Sequence, residues 1–142
     1  ALHLSESEID QSLFITEQSI SYLRGIFHTS RIALVYIPSA LSLYEFDSDY
    51  VRPAPLALNG STRDKAFKPE EVRKKCDFLR KRMSEIAERQ KVCIIDPVLE
   101  LRRTARKQLL HGPRDPIHFN REGYKAFANS IIHDVGNSFN KP

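Results

Sequence analysis

The sequence predicts one α/β domain whose strands run parallel. Two observations carry this. Residues 31–37 (Arg-Ile-Ala-Leu-Val-Tyr-Ile) and 92–96 (Val-Cys-Ile-Ile-Asp) are almost continuously apolar and β-branched, and each run is closed by a proline, Pro38 and Pro97. That is the pattern of a strand covered on both faces. Helical periodicity fills the segments before, between and after them, and a parallel pair needs such a crossover. At 142 residues, 41% hydrophobic and 28% charged, the chain is long enough for one core and too short for two.

Residues 6–24 have helical spacing at Ile9, Leu13, Ile20 and Leu23, with Ser5 or Ser7 as cap and Gly25 as stop. The first strand, 31–37, follows. Residues 39–68 form a long loop with Pro53, Pro55, Asn59-Gly60 and several aromatics. Residues 69–90 give the clearest helix. Val72, Cys76, Leu79, Met83 and Ile86 draw one apolar stripe, Pro69 starts it, and Glu70 and Glu71 suit its dipole. The second strand, 92–96, precedes a helix over 99–110 with Leu101, Ala105, Leu109 and Leu110 inward. The last helix runs from Asn120, its N-cap, to about Asn137, with Tyr124, Phe127, Ala128, Ile131, Ile132 and Val135 inward. Residues 137–142 form a polar, frayed tail.

Two strands make a poor sheet, because both edges stay open. Either residues 41–44 or 57–58 hide a strand, or residues 1–142 form an incomplete domain. The second explanation is preferred, and it predicts exposed edges, instability or association. The chain begins at Ala1 with no basic or apolar leader, so it reads as a processed product or a piece of something longer.

The formal charge of +4 permits an anionic partner without requiring one. No apolar run approaches the roughly 18 residues of a membrane span. Cys76 and Cys93 stand in the apolar patterns of different elements, which predicts free thiols and leaves the compartment open. His28, His111 and His133 have no metal-ligand spacing, so neither metal nor cofactor is expected. Arg73-Lys74-Lys75 and Arg80-Lys81-Arg82 share a helix with Asp77, Glu85 and Glu88, a solvated face. Arg102, Arg103, Arg106 and Lys107 are denser. Without a groove-entering motif a nucleic-acid partner is not expected there, but a non-catalytic α/β interaction module using this patch is the alternative reading of the chain.

The most specialised stretch is residues 112–124, Gly-Pro-Arg-Asp-Pro-Ile-His-Phe-Asn-Arg-Glu-Gly-Tyr. Asp115 and His118 can meet within one turn there, with Pro116 between them. An imidazole acting as general base must hold one tautomer and be stabilised as a cation, and a carboxylate on its far nitrogen supplies both. The dipole of the following helix favours Asp115 as the anion. The plainer reading is a loop leading into a helix, where Asp115 caps a turn and His118 covers core surface. Asp96, before Pro97, fits a turn-starting aspartate better than a site carboxylate. Ser39, after the first strand, is a pocket-lining or turn serine before it is a nucleophile, since no glycine flanks it and no strand-to-helix elbow is evident. Ser61 is a turn serine.

Residues 115–123, Asp-Pro-Ile-His-Phe-Asn-Arg-Glu-Gly, resemble the C-terminal Asp-x-x-His block of the SGNH, or GDSL, hydrolases, with Asn120, Gly123 and the terminal helix matching its context. The resemblance implies the C-terminal half of a flavodoxin-like three-layer α/β/α sandwich. It implies His118 as general base, Asp115 as its orienting acid, and an esterase, lipase or O-acetyl esterase acting through an acyl-serine without metal. The Gly-Asp-Ser block, the oxyanion glycine and the Gly-x-Asn-Asp segment are absent. The expected nucleophile therefore lies upstream of Ala1. The expected partners are an acylated ester substrate and either the missing N-terminal half or a second copy of the chain.

Overall fold

The computed structural model describes residues 4–52, 66–112, 115 and 117–139, without the side chains of residues 133 and 137–139. Its elements are α1 (Glu6–Ile26), β1 (Ala33–Val35), α2 (Ala40–Leu43), α3 (Pro69–Arg89), β2 (Cys93–Ile95), α4 (Val98–Ala105) and α5 (Arg121–Phe139). Among the described residues the fold is mixed α/β, with five helices and a two-stranded parallel sheet. The register is Ala33↔Cys93, Leu34↔Ile94 and Val35↔Ile95.

Local chemistry explains most boundaries. Ser5 caps α1 by accepting from the Glu8 N–H, while the Glu8 carboxylate accepts from the Ser5 N–H at 2.7 Å. Gly25 does not stop this helix, which continues to Ile26 and closes when the Phe27 N–H reaches the Leu23 carbonyl. Pro69 opens α3, where its missing N–H costs nothing. That helix ends at Gln90, and Lys91 turns the chain into β2 with φ of 50°, a left-handed position usually given to glycine.

Two apolar clusters hold the elements together. Ile9, Leu13 and Ile20 of α1 meet Ile86 of α3, with Leu34, Leu79, Met83 and Val92 packed around them. Leu43, Val98, Leu101, Leu110 and Phe119 form the other, backed by Tyr44, Ala126 and Phe127. Arg82 and Arg89 of α3 reach Asp10 and Glu17 of α1, so part of the expected solvated face ties two helices together. Cys76 and Cys93 are free and half-buried, one on α3 and one in β2.

Several expectations are corrected. Residues 41–44 are not a strand, because Ala40–Leu43 is a helical turn. The loop 39–68 is pinned at its neck by Val51 and Phe67, whose backbones exchange hydrogen bonds of 2.8 and 3.0 Å. Residues 57–58, Ser61, Pro53, Pro55 and Asn59-Gly60 lie outside the described residues. The 99–110 helix is shorter, and Leu109 is exposed beyond its end. The last helix extends to Phe139, past the expected start of the tail, while residues 140–142 lie outside the description. Its rotation also differs. Phe127, Ile131 and Val135 are half-buried as expected, but Gly123 is buried and Ala126 and Ser130 half-buried, whereas Tyr124, Ala128 and Ile132 face out. The close approach at Gly123, described below, fixes that rotation.

The strands are not covered on both faces. Val35 is 40% and Ile37 68% exposed. Cys93 N donates to Ile32 O and Tyr36 N to Ile95 O, so Ala33, Val35 and Ile37 turn their own backbone groups to the other edge. No strand among the described residues pairs there. Phe14, Ile15, Tyr22, Ile26 and Phe27 add exposed apolar surface on and just beyond α1. Open edges and apolar patches promote association. The chain should therefore show concentration-dependent self-association in sedimentation velocity, and Ile37→Lys should shift it toward monomer.

Candidate active site

The candidate site is a loop closed at its neck and open at its tip. His111 and Phe119 form an isolated antiparallel bridge, and the Asn120 N–H donates to the Leu110 carbonyl at 2.8 Å. The Asn120 amide then works in two directions. Its Nδ2 donates to the Leu109 and His111 carbonyls at 2.9 and 3.2 Å, and its Oδ1 accepts from the Gly123 N–H at 2.9 Å. One side chain thus ties the neck and caps α5, as an N-cap should.

Gly123 is small because the neck runs across it. A Cβ there would fall on the Leu110 carbonyl oxygen and within 2.9 Å of the Phe119 ring and Cβ. Phe119 in turn packs on Phe127 at 5.5 Å and on Tyr124 at 5.8 Å between ring centroids.

At the tip, Asp115 and His118 meet. Asp115 Oδ1 accepts from the Ile117 and His118 N–H groups, both at 3.1 Å, and Oδ2 lies 2.8 Å from His118 Nδ1. A carboxylate has no proton to give, so Nδ1 is the donor, and in the neutral ring Nε2 keeps its lone pair. The His118 side chain is 69% exposed. The hydrogen bond from His118, then the backbone donors, hold the Asp115 carboxyl below the usual aspartate range. Those backbone donors belong to the loop itself; the first turn of α5 spends its Gly123 N–H on Asn120. Pro113, Arg114 and Pro116 lie outside the described residues.

The neck rests on the segment that leaves the carboxyl end of β1. The Tyr44 hydroxyl accepts from the Leu110 and His111 N–H groups and contacts His111 Nδ1. Ligand sites of open parallel sheets lie at that strand edge. Ser39 is also on this segment, as the exposed N-cap of α2, so a strand-to-helix turn does exist there. Its backbone is ordinary extended chain and its side chain makes no capping bond. Among the described residues, no serine or cysteine is hydrogen-bonded to His118.

Other charged groups have structural partners. Asp96 Oδ2 receives Arg80 Nε and Nη2 at 2.9 and 2.6 Å, and Oδ1 accepts from the Val98 N–H at the start of α4. Asp77 joins Arg80 to Arg102, whose Nε donates to the Ser42 carbonyl. Asp96 is thus a turn and ion-pair residue. Asp96→Ala should cost about 2 kcal/mol in urea denaturation, because it leaves Nε and Nη2 of a mostly buried guanidinium without their acceptor while Nη1 keeps Asp77; the Asp115–His118 pair should stay formed. In the basic patch, Arg103 pairs with Glu100 and Arg106 with Glu45, so three of its four cations face acids of the same chain.

A cleft of about 900 Å³ runs between α4 and α5, lined among others by Asp96, Glu100, Gln108, Glu122 and Lys125, and it does not include Asp115 or His118. Among the described residues no group of three or more His, Cys, Asp or Glu is placed to hold a metal ion, and no helix is long and apolar enough to cross a membrane.

The chain matches no family model, no curated protein and no solved structure.

The geometry therefore stands on its own chemistry. The loop joins the two residues singled out in the sequence and seats Asn120 as expected, while Ser39 remains unconnected to them. Tyr44 and His111 went unrecognised in the sequence. They are 67 positions apart, and no spacing signal links them.

Proposed function

We propose that this chain carries the acid–base half of a serine ester hydrolase of the SGNH type. One observation supports the reading above all: Asp115 Oδ2 sits 2.8 Å from His118 Nδ1, leaving an exposed imidazole with its other nitrogen bare. That is the arrangement a general base requires. In the proposed reaction His118 Nε2 takes the proton of a serine hydroxyl supplied from outside the 142 residues. The serine oxygen attacks the acyl carbon, and the resulting imidazolium, balanced by Asp115, returns the proton to the departing alcohol. Water, deprotonated by the same nitrogen, then releases the acid and frees the serine. The substrate class is an acyl or O-acetyl ester, and the chemistry needs no metal.

The finer fold belongs to the same proposal. The parallel pair, whose β1 edge no other described strand covers, and β2 packed against both α3 and α5, suit one half of a flavodoxin-like three-layer sandwich. The missing strands come from an N-terminal half or, in its absence, the chain associates with itself.

A fluorophosphonate probe tests the location of the nucleophile. It should label a single serine of the full-length protein outside these 142 residues and leave the isolated chain unlabelled. Specific labelling of Ser39 would move the nucleophile into this chain, and no labelling of the full-length protein would sink the serine mechanism.

A further inference from the structure

We infer that Tyr44 and His111 are positioning residues, forming a clamp that holds the acid–base loop and closes only while His111 is neutral. The inference rests on reading Asp115 and His118 as the site, and adds how that site is held and what releases it.

The clamp follows from counting donors. The Tyr44 hydroxyl accepts from Leu110 N–H at 2.8 Å and from His111 N–H at 3.1 Å. Both lone pairs are then occupied, and its single proton is left to point at His111 Nδ1, 3.0 Å away. Nδ1 must accept, so the imidazole carries its proton on Nε2. Protonation would place a third donor against a hydroxyl that has no lone pair left. One of the three bonds must break, and two of them hold the neck.

The surroundings favour the neutral ring. His111 is 6% exposed, edge-on to Tyr44 at 5.6 Å and tilted over Phe119 at 4.7 Å. From α5, Phe127 backs Phe119; across the loop, Asp115 is the charged group whose field reaches the imidazole, and it favours the cation. Burial outweighs that field and pushes His111 below the ordinary histidine value. A histidine lowered in the folded state contributes stability above its ordinary value, near pH ~6.5, and that contribution is lost as pH falls through its folded value. The loop thus carries two histidines with opposite tasks: His118 is exposed and bonded to a carboxylate, whereas His111 is buried and must stay uncharged.

The test is amide hydrogen exchange of the Leu110 and His111 N–H groups, as protection factors from about pH 7.5 to about pH 5. Wild-type protection should fall about tenfold across that range. Tyr44→Phe should lose it at every pH, whereas Tyr22→Phe, at an exposed tyrosine, should not. His111→Asn puts a non-titrating acceptor near the Nδ1 position and should make protection independent of pH. Unchanged protection in Tyr44→Phe, or the same pH dependence in His111→Asn as in wild type, overturns the clamp. Should Tyr44→Phe also lower protection throughout α3, the His111→Asn profile decides. The Asp115 carboxyl resonance separates the two claims. It should move toward the ordinary aspartate range in Tyr44→Phe as the loop loosens; if it already titrates there in wild type, the acid–base pair fails while the clamp stands on Leu110 and His111.

Discussion

Gly123→Ala should destabilise the chain by about 3 kcal/mol or more, at the upper end of what overpacking costs. Intrinsic propensity points the other way, since alanine is favoured over glycine inside a helix by roughly 1 kcal/mol. Sterics win because the obstruction is backbone. The new methyl would land on the Leu110 carbonyl and against Phe119, neither of which can swing aside. Leu110 O also accepts the Asn120 N–H, so moving it breaks the neck of the loop. Gly136→Ala in the same helix is the control. Nothing lies within 4 Å of its Cβ position, so that change should stabilise by about 0.5–1 kcal/mol. Urea denaturation of both variants gives opposite signs if α5 is seated as described, and the same sign if it is not.

If the proposed serine mechanism holds, Asp115→Asn should lower ester hydrolysis by the full-length protein on the order of 10³- to 10⁴-fold, by analogy with the loss on the same change in a serine-protease triad, while leaving the loop folded. Both effects follow from the separate tasks of the two carboxylate oxygens. Oδ1 accepts from the Ile117 and His118 N–H groups, and an asparagine carbonyl does the same. Oδ2 accepts from His118 Nδ1, and there an asparagine offers N–H donors instead. The imidazole must answer with a bare Nδ1, so its proton moves to Nε2 and blocks the lone pair the mechanism uses. The negative charge that would balance an imidazolium is lost as well. Protection of the Ile117 and His118 amides should persist. It should also stop responding to acid: in wild type Asp115 supports the loop above the ordinary aspartate value, near pH ~3.9, and that support disappears as pH drops through its lowered value.

How much of this was legible in the sequence depended on whether the controlling interaction was local. The stripe from Val72 to Ile86, the cap at Ser5 (one of the two serines the pattern offered) and the Asn120 cap involve residues a few positions apart, and each appears where the pattern put it. The Asp115–His118 contact is equally local. α2 was missed because four residues are too few to show a period. Gly25 was misread because a glycine marks a helix end only when the chain needs its freedom there, and Phe27 closes α1 without it. The rotation of α5 was misjudged in part, at Tyr124, Ala128 and Ile132, for a different reason. Its apolar residues spread around the helix, and the face that packs was chosen by the missing side chain of Gly123. Tyr44 and His111 were invisible because a hydroxyl satisfying three partners across the fold leaves no trace in spacing. Strand burial was overestimated since apolar runs report what a strand requires, and Val35 and Ile37 lie open.

Hydrolysis of a small aryl ester by the full-length protein, wild type against His118→Ala, tests the central claim most directly. His118 is exposed and its ring lies at the tip of the loop, so the variant should fold with the wild-type urea midpoint. The account predicts that turnover then falls by about 10⁴-fold or more, since the only base on the proposed path is gone. A folded His118→Ala protein that turns over the ester at the wild-type rate would contradict it.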